Sequence, residues 1–307
     1  MTNEKKIKKL KVTQIKLEKP DKNEEMLNII RGKDKEVFIS LIAKFGKLEI
    51  LNNFAEFLNK RSFFSVDIYG NIKRKSLNYA FPIFSFFNDE NLLAESLLEL
   101  AAPEERQKIY KIDRFSNVDL EIVKINFIKT MANGNLEFAK RYGKELFLRD
   151  KNEFFKVIAN FSLAGNISSL KSLMVLSFAE IIKSNEKSFN DNIFYIFMSY
   201  MCKYRDNFYE NDKNYEIDMD SDADISIDEL FENLDIDKKD LMKKNELEIL
   251  SYLMLMKKLN IKESKFINIA KYEVEKYNEF KKDDKFSQND KYKKMLRDLF
   301  LDAIKKI

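Results

Sequence analysis

Residues 189–208 read FNDNIFYIFMSYMCKYRDNF, and Phe189, Ile193, Phe194, Phe197, Tyr200, Met201, Tyr204 and Phe208 recur in them at steps of three and four. That is the α-helical period, so these side chains share one stripe, and an aromatic stripe of this kind is a core face. The two segments upstream have the same character. Asp150 opens a helix running to Ala164, Gly165 ends it, and residues 168–183 form the next. Segments 154–164 and 170–182 are apolar on several sides, which places them in the middle of the structure.

Working outward, Ser116-Asn117 caps a helix to Ala132, Gly134 ends it, and Leu136–Leu148 forms another. Asn88-Asp89 offers a cap to a leucine-rich helix, and Pro103 marks the next helix start. Residues 23–31 and 33–45 read as helices separated by Gly32 as a C-cap, and Gly46 closes the second before Leu48–Arg61. The rhythm breaks over 62–77, where two extended runs flank Gly70-Asn71 and predict a short β-hairpin. The aromatic run that follows (NYAFPIFSFF, 78–87) is either core filling or one wall of a binding groove. Downstream, 241–259, 263–281 and 290–306 read as three long helices.

One echo suggests repetition. Asn133-Gly134-Asn135-Leu136 returns 31 residues later as Ala164-Gly165-Asn166-Ile167, each joining two helices. The fold class expected is therefore mainly α: an α-solenoid or an irregular array of antiparallel helical hairpins, with a small β-hairpin near 62–77. Composition agrees. Six Gly and three Pro in 307 residues are too few for the turns of a sandwich or barrel.

The chain has no His and one Cys. This excludes an internal disulfide, Ser-His and Cys-His dyads, and His-ligated zinc. Cys202 lies in an apolar helical stretch and reads as a small buried hydrophobe. The longest uncharged stretch, Val157–Leu170, is 14 residues, too short to cross a bilayer, and the basic N-terminus contains no continuous apolar run. The expectation is a cytoplasmic protein with no membrane partner.

Charge divides the chain. Residues 1–22 carry 8 lysines against 3 acids and read as a basic arm. Residues 23–209 form the helical array. Residues 210–240 carry 13 acids against 3 lysines, and 241–307 carry 17 bases against 11 acids as a C-terminal helical block packing on the array. Lys outnumbers Arg 46 to 9, which suits a solvated surface better than bidentate phosphate recognition.

Within the acidic stretch, Asp218, Asp220, Asp222, Asp224, Ser226 and Glu229 alternate in DMDSDADISIDE. This resembles the calcium loop of the EF-hand family over 12 residues. The resemblance implies Ca²⁺ held by the first three aspartates, the Asp224 carbonyl, Ser226 directly or through water, and a bidentate Glu229. Leu230, Phe231 and Leu234 would bury one face of the exiting helix. The sequence departs from the family at Ala223, where the loop's sharp turn favours Gly. The other reading of 210–240 is an acidic linker.

The first functional reading is a non-catalytic helical scaffold that binds another macromolecule, a protein partner before any other, in a regulatory or inhibitory role. The second is a nucleic-acid or nucleoprotein-binding regulator using the basic arm and the C-terminal lysines Lys257, Lys258, Lys281, Lys282, Lys291, Lys293 and Lys294. The third is a carboxylate enzyme dependent on a divalent metal. No catalytic residue is assigned, and no cofactor is required.

Overall fold

Helix caps set the frame of the molecule. The computed structural model describes residues 22–58, 64–66, 72–74, 77–103, 109, 115–184, 189–204, 226–244, 246–260, 264–281 and 291–305. Among these, α1 (Lys22–Gly32) passes to α2 (Lys35–Phe45) through Lys33, which takes the left-handed conformation at φ 49°. The expected role of Gly32 therefore falls one residue later, and Asp34 then caps α2 by accepting from the Val37 amide at 3.1 Å. Gly46 closes α2 at φ 83°, and α3 (Lys47–Leu58) follows at once.

The hairpin expected over 62–77 is present as β1 (Phe64–Val66) and β2 (Ile72–Arg74), antiparallel with Ser65 opposite Lys73. Its Gly70-Asn71 turn lies outside the described residues. Next come α4 (Ala80–Phe86) and α5 (Glu90–Leu100), the latter capped by Asp89 accepting from the Leu92 amide.

α6 (Leu120–Ala132) and α7 (Leu136–Arg149) form an antiparallel hairpin turned at Gly134, φ 68°. Its open end is tied by Arg149, whose guanidinium donates to the Val118 carbonyl at 2.9 Å. The cap of α6 is Asp119, not Ser116-Asn117. Ser116 is drawn away because its amide and hydroxyl both donate to the buried Glu145 carboxylate at 2.8–3.0 Å. Asp150 then ends α7 and caps α8 (Lys151–Leu163).

The sequence echo at 164–167 is not an echo of geometry. Here the chain makes a 3-10 turn at Ile167–Ser169 and takes its left-handed residue at Leu170, φ 53°, before α9 (Lys171–Ser184). After α10 (Asp191–Lys203), capped by Asn190, come α11 (Ile227–Asn233), α12 (Lys238–Lys244), α13 (Leu247–Lys258), α14 (Ser264–Lys281) and α15 (Lys291–Lys305). The single helix expected over 241–259 is thus two, α12 and α13, with buried Glu246 at the N-terminal boundary of the second and no side-chain cap there.

Packing joins helices far apart in sequence. α10 lies on α3, where the Asn192 amide donates to the Asn52 carbonyl at 3.1 Å; α4 lies on α9 and α15; and α13 lies on α8, α9 and α15. A solenoid restricts each repeat to its neighbours, so this is the irregular array, not the solenoid. At its centre Phe147, Phe154, Phe178, Phe194 and Phe197 form one ring cluster, with Phe178 stacked on Phe197 at 4.4 Å between centroids. α10 is buried on all sides from Ile193 to Lys203, beyond the one stripe expected of it, and both apolar segments are buried there too; Phe208 of that stripe lies outside the described residues.

Candidate functional site

The aromatic run at 78–87 is positioned by one side chain. The Asn78 amide donates to the Leu58 carbonyl (3.0 Å) and the Leu100 carbonyl (3.2 Å), and its oxygen accepts from the Ala80 amide (3.0 Å). These carbonyls belong to the last turns of α3 and α5, which a helix cannot satisfy internally. Asn78 therefore fixes where both helices end and where α4 begins. Pro82 falls in the first turn of α4, where its missing N–H costs nothing.

Helical spacing then splits the run. Phe81 and Ile83 are fully buried, while Phe84, Phe86 and Phe87 are only half-buried. The three phenylalanines form one wall of an open groove of about 620 Å³. Leu48 of α3 and Ile181 of α9 complete its apolar lining, and Lys47 and Lys183 stand on its rim. The Ser85 hydroxyl holds α4 against α9, lying 3.0 Å from both the Phe81 and Ser177 carbonyls. Behind the wall, Phe300 of α15 meets Phe86 edge-on at 5.2 Å.

The polar groups of the groove are engaged with one another or with neighbouring helices. Glu180 is held by Lys258 at 2.6 Å, with Lys183 4.0 Å away. Lys47 donates to the Asn88 side chain. The Ser85 proton points at backbone carbonyls and not at a base. The groove thus joins an apolar wall to a lining in which Lys47, Lys183 and Glu180 carry the charges.

Two buried lysines are each paired with carboxylates. Lys144 of α7 reaches Asp191 of α10 at 2.7 Å, and Lys124 of α6 bridges Glu121 (2.7 Å) and Glu153 of α8 (3.1 Å). Burial alone would push the Lys124 ammonium down, but its two carboxylate partners together raise it above the ordinary lysine range. Lys140, Lys171 and Lys203 lie close enough to Cys202 to favour its thiolate. Burial outweighs them and pushes the thiol up to about 12. Cys202 is the inert, buried side chain that its sequence context indicated.

Of the six residues in the calcium-loop resemblance, Asp218, Asp220, Asp222 and Asp224 lie outside the described residues. Ser226 is the N-cap of α11 and accepts from the Glu229 amide at 3.0 Å. Glu229 is exposed in the first turn, and Ile227, Leu230, Phe231 and Leu234 are buried. Among the described residues, no group of three or more Cys, Asp or Glu is placed to hold a metal ion.

Several lysines of the nucleic-acid reading are engaged within the fold. Lys258 pairs with Glu180, Lys291 with Glu95 and Lys293 with Glu248. The basic arm lies outside the described residues, apart from Lys22 at the start of α1, and so do Lys282 and the side chain of Lys281. Among the described residues, no helix is long and apolar enough to cross a membrane.

No protein-family model, curated protein or solved structure matches the chain. The residues that local sequence reading missed are Lys47, Leu48, Glu180, Ile181 and Lys183. They come from helices separated by more than a hundred positions, and only tertiary packing brings them to one groove.

Proposed function

We propose that this chain is a non-catalytic helical scaffold that binds a protein segment in the groove between α4 and α9. The supporting observation is the wall of half-buried Phe84, Phe86 and Phe87 under a rim of Lys47 and Lys183. The partner segment is an amphipathic helix or short extended stretch, with one or two aromatic or aliphatic anchors and flanking carboxylates. The anchors would cover the phenylalanine wall, and the carboxylates would meet the lysines and set orientation and association rate.

A protein partner ranks above nucleic acid because Lys258, Lys291 and Lys293 are committed to carboxylates on other helices, whereas Lys183, among the described residues, pairs only within its own helix, at 4.0 Å. Using them on phosphates would require breaking contacts between helices. The test is fluorescence anisotropy with a library of amphipathic peptides, each paired with a copy whose acids are replaced by lysine. Acidic peptides with apolar anchors should bind, Phe87→Asp should abolish binding, and Lys183→Glu should weaken it roughly tenfold. Equal binding of acidic and basic copies, or binding indifferent to Phe87→Asp, would sink the reading.

A further inference from the structure

A different surface carries a second inference. α6 buries Val123, Phe127 and Met131 against the array yet leaves Ile122, Ile125 and Ile128 exposed on its other side, at 48%, 43% and 40%. Val118 just before it is exposed too, as are Phe138 and Leu148 on α7 of the same hairpin. Scattered exposed apolar residues need no explanation, but three isoleucines on one helix face make a continuous stripe. Two exposed charges frame the stripe, Glu121 at its start and Lys129 near its end.

The order of these residues is self-complementary. Ile125 stands midway between Ile122 and Ile128, and also midway between Glu121 and Lys129. Place a second α6 antiparallel to the first, with the two-fold axis at Ile125. Ile122 of each copy then lies level with Ile128 of the other, and Glu121 lies level with Lys129. A parallel pairing would instead set Glu121 level with Glu121 and Lys129 level with Lys129, which repel. Antiparallel alignment also opposes the two helix dipoles favourably. An isologous two-fold contact demands this kind of pattern, in which one patch serves as both halves of the interface.

We propose that the exposed face of α6 is a homodimer interface, in which two copies of this chain pack antiparallel across Ile125 with Glu121 of each level with Lys129 of the other. Lys129 has no ion-pair partner among the described residues, so its charge is available to the second copy. Glu121 also pairs with Lys124 in its own chain at 2.7 Å. Lys124 keeps Glu153 at 3.1 Å, so exchanging Glu121 leaves that buried lysine neutralised.

Sedimentation equilibrium of the full chain over roughly 1–200 μM reads the association. A monomer–dimer equilibrium is expected, with Ile125→Asp monomeric throughout while its circular dichroism is unchanged. Lys129→Glu should raise the dissociation constant roughly tenfold, and E121K/K129E should return it to within about threefold of the parent. Because Cys202 is buried, Ile125→Cys supplies the one accessible thiol, and a short bismaleimide should then link two chains through the residues on the axis. A parent that stays monomeric, a dimer indifferent to Ile125→Asp, or a double charge reversal no better than the single would each overturn the proposal. A dimer that ignores the charge pair and does not cross-link at position 125 would assign the contact to another surface.

Discussion

The Tyr252 hydroxyl donates to the carbonyl of Leu163 at 2.6 Å, joining α13 to the end of α8 across 89 residues of sequence. Leu163 is the last residue of α8, so its carbonyl is one that the helix leaves unbonded, and Tyr252 meets it inside the core. Tyr252→Phe should therefore cost about 1–2 kcal/mol, because a buried acceptor loses its donor while the ring packing stays. Urea denaturation should show the midpoint falling at an unchanged slope.

Gly143 lets α7 pack closely on α6 and α10. A Cβ there would lie 2.7 Å from Cε2 of Phe127 and 3.1 Å from Cζ of Phe194. Both rings belong to the packed centre, with Phe127 stacked on Phe154. Gly143→Ala should destabilise by about 1–3 kcal/mol despite the better helix propensity of Ala. Combined with Phe127→Leu it should cost less than the sum of the two single changes, which a double-mutant cycle by thermal melting will show.

Acid should loosen α15. Glu95 is held below its ordinary value, first by its hydrogen bond from Lys291 and also by the charges of Lys291 and Lys35. A carboxylate with a lowered folded pKa contributes stability that is present above its unfolded pKa of about 4.5 and is lost as pH falls through the folded value. Hydrogen exchange at α15 should accelerate below pH 4.5 in the parent and much less in Glu95→Gln.

Base acts on a different element. Lys124 has its folded pKa raised, so its contribution is complete below its unfolded value of 10.5 and disappears as pH climbs through the folded one. Melting temperature should fall above about pH 10.5, and Lys124→Met should flatten that limb of the profile.

Ser226→Ala should cost about 1 kcal/mol by removing the cap of α11. The loss should appear with and without added calcium, as a fall in melting temperature accompanied by faster exchange at Leu230 and Phe231.

The helices of the centre were legible because their apolar residues recur at the helical period. The stripe from Ile193 to Met201 is buried, but so are Tyr195, Ile196, Met198 and Cys202 beside it, because helices pack on α10 from several sides. Caps read well where Asp stood just before an apolar run, as at Asp89 and Asp150. They failed at Ser116, because Glu145, 29 residues away, competes for the same hydroxyl. The 241–259 segment reads as one helix because Lys243, Lys244 and Glu246 are all compatible with a helix, yet α12 ends at Lys244 and α13 begins at Leu247. The phenylalanines of the groove were visible as a run, but their rim was not, since Lys47 and Lys183 meet it only through the packing of α3 and α9 around α4.

Three consecutive residues of α15 each reach back to an acid: Lys291 to Glu95, Tyr292 to Glu99 at 2.6 Å, and Lys293 to Glu248. Two of those partners lie on α5, nearly two hundred residues earlier in the chain. During synthesis α5 leaves the ribosome long before Lys291 and Tyr292 can reach it, and Phe86 waits as long for Phe300. The nascent protein must therefore carry an unfinished face through most of its translation, and a chaperone that shields α4 and α5 should raise the yield of native chains.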